Sequence, residues 1–252
     1  ACGGKIVLFG YGIQRIENEL GMKFPDAHVA RMDSDTMTSP KQFRQVFEDF
    51  SGGALDILLG TQMVAKGLDF PRVSLVGVIS ADTSLAIPDF RASERTFQLI
   101  VQVAGRAGRG KTGGQVVVQT MHAEEPAVAL AVGHNFEAFA EGELADRAEA
   151  KLPPYARLVR FIVRHEHQEK AMSGAEELVR RLRQIFPPAS GVMVEEATPA
   201  GIPRIRNQMR FSVLMHQPRG GIIQHMLSGH MATLSADIPA EIVPDIDPIN
   251  LA

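Results

Sequence analysis

The first 120 residues alternate two hydrophobic rhythms. Short apolar runs of strand length lie at residues 5–9, 28–32, 56–60, 73–80 and 115–120. Between them apolar side chains recur at helical spacing: Ile13, Ile16 and Leu20 in one stretch, Phe43, Phe47 and Phe50 in a second, and residues 91–104 in a third. Ser39-Pro40-Lys41-Gln42 reads as a capping box with proline at the first helical position. Strands alternating with helices predict an α/β unit with a parallel sheet and helices on both faces. Ligands of such sheets gather at the carboxyl ends of the strands, which puts the loops after Gly60 and Ser80 on one functional edge.

The rhythm then changes. Residues 124–150 read as an acidic helical connector, and Pro153-Pro154 breaks it. Beyond it come a strand at 158–164, a long helix at 168–186, strands at 192–197 and 209–215, a helix at 220–234 and a last strand at 241–246. This βαββαβ order predicts a smaller α+β domain of the ferredoxin-like, two-layer kind. The expected division is an α/β domain over 1–122, the connector over 123–152 and the α+β domain over 153–252. No repeat and no low-complexity segment interrupts it.

Composition narrows the class. Hydrophobic residues make up 45% and charged residues 22% of 252, enough for packed cores. No apolar run approaches the ~18 residues of a membrane helix, and the N-terminus lacks a signal-peptide layout. One cysteine excludes a disulfide framework and points to a reducing, cytoplasmic setting. The chain begins at Ala1 in mid-pattern, which suggests a piece of a longer protein. The net charge of −3 is unevenly spread. Residues 121–150 hold one basic and seven acidic residues, whereas 197–236 hold Arg204, Arg206, Arg210 and Arg219 and no acid. A local basic patch on an acidic chain suits a nucleic-acid contact, and it equally suits a solvated face.

Residues 105–112, Gly105-Arg106-Ala107-Gly108-Arg109-Gly110-Lys111-Thr112, satisfy the P-loop pattern letter for letter. The flanks are reversed. A P-loop follows a strand and opens a helix, so that amides and the helix dipole meet the phosphates. Here a helix precedes the loop and the strand at Gln115-Val116-Val117-Val118 follows it, so the match is rejected. The arginines give a better reading. Arg106 and Arg109, three apart at a helix end, project the same way, and the adjacent Gly105 and Gly108 allow close approach. Such a pair suits charge building on a γ-phosphate, where an arginine finger is worth ~10³–10⁵ in rate. A surface Arg-Gly turn with ordinary salt bridges has the same spacing.

Three stretches together carry a resemblance. Gly60-Thr61-Gln62-Met63-Val64-Ala65-Lys66-Gly67-Leu68-Asp69-Phe70-Pro71 resembles motif V of superfamily 2 helicases, and Gln102-Val103-Ala104-Gly105-Arg106-Ala107-Gly108-Arg109 resembles motif VI. Between them, Pro88-Asp89-Phe90-Arg91-Ala92-Ser93-Glu94-Arg95 and Phe97-Gln98-Leu99 resemble the primosomal protein N′ (PriA) family of replication-restart helicases. Leu152-Pro153-Pro154-Tyr155, Pro199-Ala200, Ile202, Arg210-Phe211 and Asp245-Ile246-Asp247-Pro248 extend the resemblance to the C-terminus, and Cys2-Gly3 resembles the last cysteine of the family's zinc-binding insertion. Ile13-Gln14 departs from the family, which usually shows a small or hydroxyl residue and then an acid there.

The resemblance implies a second RecA-like helicase lobe followed by a DNA- and partner-binding domain. Gln102, Arg106 and Arg109 would face a nucleotide held by another lobe, the two arginines stabilising the γ-phosphate. Gly67, Asp69 and Gly105 would line the nucleotide cleft. Thr61, Gln62 and Lys66 would contact the DNA backbone. On charge rather than resemblance, Arg204, Arg206 and Arg210 of the basic stretch are the expected DNA contacts of the last domain. ATP and Mg²⁺ would sit mainly on the other lobe, and Cys2 would ligate Zn²⁺ in the longer protein. Expected partners are forked DNA, single-strand-binding protein and other primosome proteins, with no membrane. Asp69 also reads as a turn-former before Pro71. His165-Glu166-His167 reads as a solvated turn, because metal ligands need more convergence. The 11 methionines and the phenylalanines read as core. Two functions are weighed: an ATP-driven 3′→5′ DNA helicase that restarts replication at stalled forks, and a non-catalytic DNA- and protein-binding module.

Overall fold

The structure is a computed structural model of the chain and describes residues 12–33, 36–37, 39–61, 70, 72–105, 114–218 and 223–251. By internal packing the chain divides into two compact units, Ala1–Ala86 with Ala92–Phe139, and Ile87–Arg91 with Ala140–Ala252.

The first unit runs α1 (Ile13–Lys23), β1 (Val29–Met32), α2 (Pro40–Gly52), β2 (Ile57–Gly60), β3 (Leu75–Val78), α3 (Ala81–Leu85), α4 (Ala92–Ala104), β4 (Gln115–Val118), α5 (Pro126–Val132) and the start of α6 (Phe136–Glu149). Both strand pairings are parallel. Val29 to Met32 match Ile57 to Gly60, and Leu75 to Val78 match Gln115 to Val118. Among the described residues these are two pairs rather than one continuous sheet, and the expected first strand at 5–9 lies outside the described residues. β3 is shorter than its apolar run because Ser80 turns left-handed at φ 56 and opens α3. The capping signal at α2 holds: the Gln42 amide donates to Ser39 Oγ at 3.3 Å, with Pro40 in the first turn. Left-handed Gly53 ends that helix, where a Cβ would meet the Arg72 guanidinium at 2.7 Å. Phe47 and Phe50 close on Phe70, with ring centroids 5.1 and 4.9 Å apart.

α5 and α6 occupy the acidic stretch. α5 is nevertheless half core: Ala127, Val128 and Ala131 pack with Phe97 and Ile100 of α4. Phe139 of α6 stacks on Phe97 at a centroid separation of 4.2 Å. Burying each such aromatic is worth about 1.5–3 kcal/mol, which anchors α4 firmly.

The second unit follows with β5 (Ala156–His165), α7 (Gln168–Ile185), a short 3₁₀ turn at Pro188–Ser190, β6 (Met193–Val194), β7 (Thr198–Ile205), β8 (Gln208–Pro218), α8 (Ile223–Ser235) and β9 (Glu241–Ile246). All pairings are antiparallel and the order is β6-β8-β5-β9, with β7 also on β8. Counting its four main strands in chain order, that is 4-1-3-2, the ferredoxin-like arrangement expected from the pattern. One face of the sheet carries Val159, Phe161, Val163, Phe211, Val213 and Met215 into a core with Ala175, Leu178 and Leu182 of α7 and Leu234 of α8. Arg181 ties the two helices together: its Nη1 donates to the carbonyl of Thr233 at 2.8 Å, at the end of α8 where helix carbonyls lack intrahelical donors. Glu177 holds that arginine, and its own carboxyl is lowered to about 2 by hydrogen bonds from Arg180 and then Arg181.

The expected strand at 192–197 is corrected. Only Met193–Val194 pairs there, and β7 forms where no strand was expected. Pro199, Gly201 and Pro203 weaken the strand pattern, but proline is tolerated on an edge, and the register slips between Pro199 and Arg204.

Candidate functional site

The carboxyl ends of the parallel strands form the first candidate edge. Thr61 follows β2 directly and is exposed there. Gln102 lies in the last turn of α4, half-buried, on the face of Gln98, Arg95 and Glu94 rather than that of the buried Thr96, Phe97 and Ile100. Gly105 is exposed just beyond the helix, its amide donating to the Val101 carbonyl at 3.0 Å. A Cβ on Gly105 would meet only the carbonyls of Gln102 and Val101, both at 3.6 Å, among the described residues. Gln62, Lys66, Gly67, Asp69, Arg106 and Arg109 lie outside the described residues, as does Cys2 and the P-loop-like run beyond Gly105.

Asp82 is an element of this edge that the sequence reading passed over. Its carboxylate accepts from Thr120 Oγ1 at 2.9 Å and from the Met121 amide at 3.0 Å, joining the chain after β3 to the chain after β4. Burial pushes this carboxyl up, but the Thr120 hydroxyl and the backbone amides outweigh burial and hold it below the usual carboxylate range. The side chain is a brace for the loop edge, and an acid in the first turn after a strand was its only signal.

In the second unit the predicted arginines come together on one hairpin. β7 and β8 are joined by Arg206 and Asn207 alone, with φ 47 and 64 and Ile205 paired to Gln208. Two left-handed residues in a two-residue loop make the tight turn that matches strand twist. Arg204 Nη2 donates to Asn207 Oδ1 across the turn, and Arg210 Nη1 donates to the Ile202 carbonyl at 3.2 Å. Arg204 and Arg206 are exposed, and Arg210 is half-buried. Burial first, then the charges of Arg160 and Arg164, make the Arg210 guanidinium easier to deprotonate than an ordinary arginine. None of the three forms an ion pair with a described carboxylate.

The neighbouring strand behaves oppositely. Arg157 reaches Asp247 at 2.5 Å, Arg160 reaches Asp245 at 2.9 Å, and Arg164 reaches Glu241 at 2.6 Å. The β5–β9 register sets Arg160 opposite Asp245 and Arg164 opposite Glu241. The same register row continues to Arg210 on β8, so that row ends on an unmatched positive charge.

Two further anchors were not legible from spacing. His216 is 4% exposed, with Nε2 on Glu195 Oε1 at 2.6 Å and Nδ1 on the Lys151 carbonyl at 2.9 Å. Both partners only accept, so the ring satisfies both as an imidazolium. Burial lowers its pKa, but the Glu195 carboxylate and the Lys151 carbonyl prevail and raise it. Within the same unit, Asp89 Oδ1 accepts the Arg91 amide at 2.9 Å and Oδ2 the Leu251 amide at 3.1 Å. Arg147, paired to Glu143 at 2.6 Å, stands 5.3 Å over the Phe90 ring. The Pro88–Arg91 stretch that resembles the helicase family is thus gripped by the C-terminal unit. Among the described residues no three His, Cys, Asp or Glu side chains converge as a metal site, and His165 and His167 remain a surface pair. No helix among them is long and apolar enough to cross a membrane.

Comparison with known proteins agrees with this two-part architecture. The helicase conserved C-terminal domain matches residues 1–111, and the primosomal protein N C-terminal domain matches residues 148–249. Replication restart protein PriA of Bacillus subtilis (strain 168) is 43% identical over 210 residues, covering 83% of this chain and 26% of that protein. The protein of the same name from Treponema pallidum (strain Nichols) is 36% identical over 242 residues, covering 96% of this chain and 36% of its own length. That of Haemophilus influenzae is 33% identical over 257 residues and covers 100% of this chain and 34% of its own length. The chain therefore spans about a quarter to a third of the length of these relatives.

Proposed function

Because the chain belongs to the PriA family of replication restart proteins and matches its C-terminal portion, we propose that it supplies the second motor lobe and the C-terminal DNA-binding domain of an ATP-dependent 3′→5′ DNA helicase. In this reading the protein recognises stalled or abandoned forks and restarts replication by primosome assembly. The observation that carries it is the succession, in one chain, of a helicase C-terminal domain and a primosomal C-terminal domain.

The roles follow the motifs. Arg106 and Arg109 stabilise charge on the transferring γ-phosphate, and Gln102 orients that group from the end of α4. Gly67, Asp69 and Gly105 line the nucleotide cleft. Thr61, Gln62 and Lys66 hold DNA phosphates without reading sequence, since a hydroxyl, an amide and an ammonium on a strand-end loop suit phosphate oxygens. ATP and Mg²⁺ would be held mainly by a first lobe, and these 252 residues include no strand–P-loop–helix to hold them. Cys2 contributes one thiolate toward Zn²⁺. The described residues add no ligand set to it, and no step runs through that metal. Single-strand-binding protein and other primosome proteins are the proposed partners, and the cytoplasm the proposed setting.

An ATPase assay tests the division of labour. Residues 1–252 alone are expected to show no DNA-stimulated hydrolysis above background, and robust turnover would sink the two-lobe reading. A second reading, a non-catalytic DNA- and protein-binding module, is favoured by one observation: the arginines of the β7–β8 hairpin have no described carboxylate partner. Under it the chain binds fork DNA with a steep salt dependence, while Arg109→Ala in a two-lobe protein leaves turnover untouched.

A further inference from the structure

The β7–β8 hairpin exposes more than charge. Ile202 is 54% and Ile205 40% exposed, and Pro203 lies exposed between them. Edge strands are usually blunted by charge or proline to keep other chains from pairing, and exposed isoleucines work against that. Here they lie beside Arg204 and Arg206, Ile205 next to the turn and Ile202 where the register slips. The turn has two left-handed residues, Arg204 braces Asn207, and Arg210 holds the Ile202 carbonyl where the register slips. No acid occurs from residue 197 to 236. A hairpin whose cationic turn, Arg206-Asn207, is backed on β7 by exposed isoleucines and arginines fits a surface that offers flat apolar faces beside phosphates. Intact duplex shows phosphates but hides its base faces in the stack. A branch point presents both, and unstacking costs least there.

We propose that the tip of the β7–β8 hairpin seats at the branch point of forked DNA, with Ile202 and Ile205 against the face of the terminal base pair and Arg204, Arg206 and Arg210 on the flanking phosphates. This rests on the reading that the hairpin arginines bind DNA, and it adds how a fork is distinguished from plain duplex. The isoleucines sense the opened stack, and the arginines supply attraction that is blind to structure.

The test uses the 252-residue chain and two synthetic DNAs, a fork and a linear duplex, each with 2-aminopurine either at the branch-adjacent base or inside an arm. Wild-type chain should raise fluorescence at the branch-adjacent base about twofold or more, as expected of unstacking, and leave the interior probe unchanged. Ile202→Ser with Ile205→Ser, at two exposed positions, should abolish that rise and lower fork affinity about tenfold, the scale of two lost apolar contacts, to the level of linear duplex. Arg204→Gln, Arg206→Gln and Arg210→Gln together should weaken both DNAs alike. If the isoleucine variant keeps both the fluorescence rise and the fork preference, the wedge is wrong although DNA binding by the hairpin stands. If the arginine variant binds both DNAs normally, the underlying reading fails as well.

Discussion

Two sets of arginines share one sheet in the C-terminal unit and have opposite fates. Arg160 and Arg164 of β5 sit opposite carboxylates of β9 fixed by the strand register, and Arg157 pairs with Asp247 just past the end of β9. Hydrogen bonds donated to Asp247 and Glu241 keep Arg157 and Arg164 more firmly protonated than ordinary arginines, and Arg164 in turn holds Glu241 below the usual range. Those of the β7–β8 hairpin face other arginines, a carbonyl and a side-chain amide. Residue type does not separate the two sets. The register does: β9 brings acids to one edge, and β7 brings none to the other. A cation with no partner among the described carboxylates is available to phosphate, whereas one already paired exposes little field.

The largest effect that would break this contrast is on DNA affinity. Neutralising Arg204, Arg206 and Arg210 together should lower fork-DNA affinity by about 10²-fold and reduce the salt slope by about 2–3 log units per log salt, with little change in melting temperature. Fluorescence anisotropy across a salt series checks this. A slope equal to wild type would place the hairpin among solvated faces. Neutralising Arg157, Arg160 and Arg164 should do the reverse, lowering stability and leaving the salt slope nearly intact.

The next effect is on stability and concerns His216, which lies opposite Met193 at the far end of β8 from the hairpin. Replacing it with Ala should cost about 2–3 kcal/mol, the scale of hydrogen bonds to a buried charged group. Because the folded pKa is raised above 6.5, the protonated ring's contribution is complete below about pH 6.5 and is lost as pH rises through the folded value. Of the groups around it, Glu195 favours the charged ring and the Lys151 ammonium opposes it. Urea melts at rising pH should show the wild type losing this increment and His216→Ala lacking it. Parallel pH profiles for the two would contradict the imidazolium assignment.

The smallest effect sharpens the other half of the contrast. A double-mutant cycle on Arg164 and Glu241, 40% and 55% exposed, should give a coupling below about 1 kcal/mol that shrinks with salt. A coupling of several kcal/mol would mean the β5–β9 ladder is a main support of the fold rather than a charge sink.

Much of this architecture was legible. The capping signal opening α2 and the strands expected at 158–164 and 209–215 are local signals, and each appears where the pattern put it. β7 was hidden because its prolines and glycine suppress the strand pattern that its pairing with β8 nevertheless imposes. The core role of α5 was masked by acids on either side of Ala127, Val128 and Ala131. Asp89 with Leu251 and His216 with Lys151 are separated by 162 and 65 positions, so no spacing rule links them. At the motor edge, spacing alone left Arg106 and Arg109 equally suited to a salt-bridged turn. The neighbouring motif stretches, not the arginine pair itself, tied them to phosphoryl transfer.

One measurement reaches that assignment directly. In a protein that joins this chain to a first motor lobe, Arg109→Ala should lower DNA-stimulated ATP turnover by ~10³-fold or more while ATP affinity stays within about tenfold of wild type. Near-normal turnover in that variant would contradict the arginine-finger role and, with it, the claim that this chain completes an ATP-hydrolysing motor.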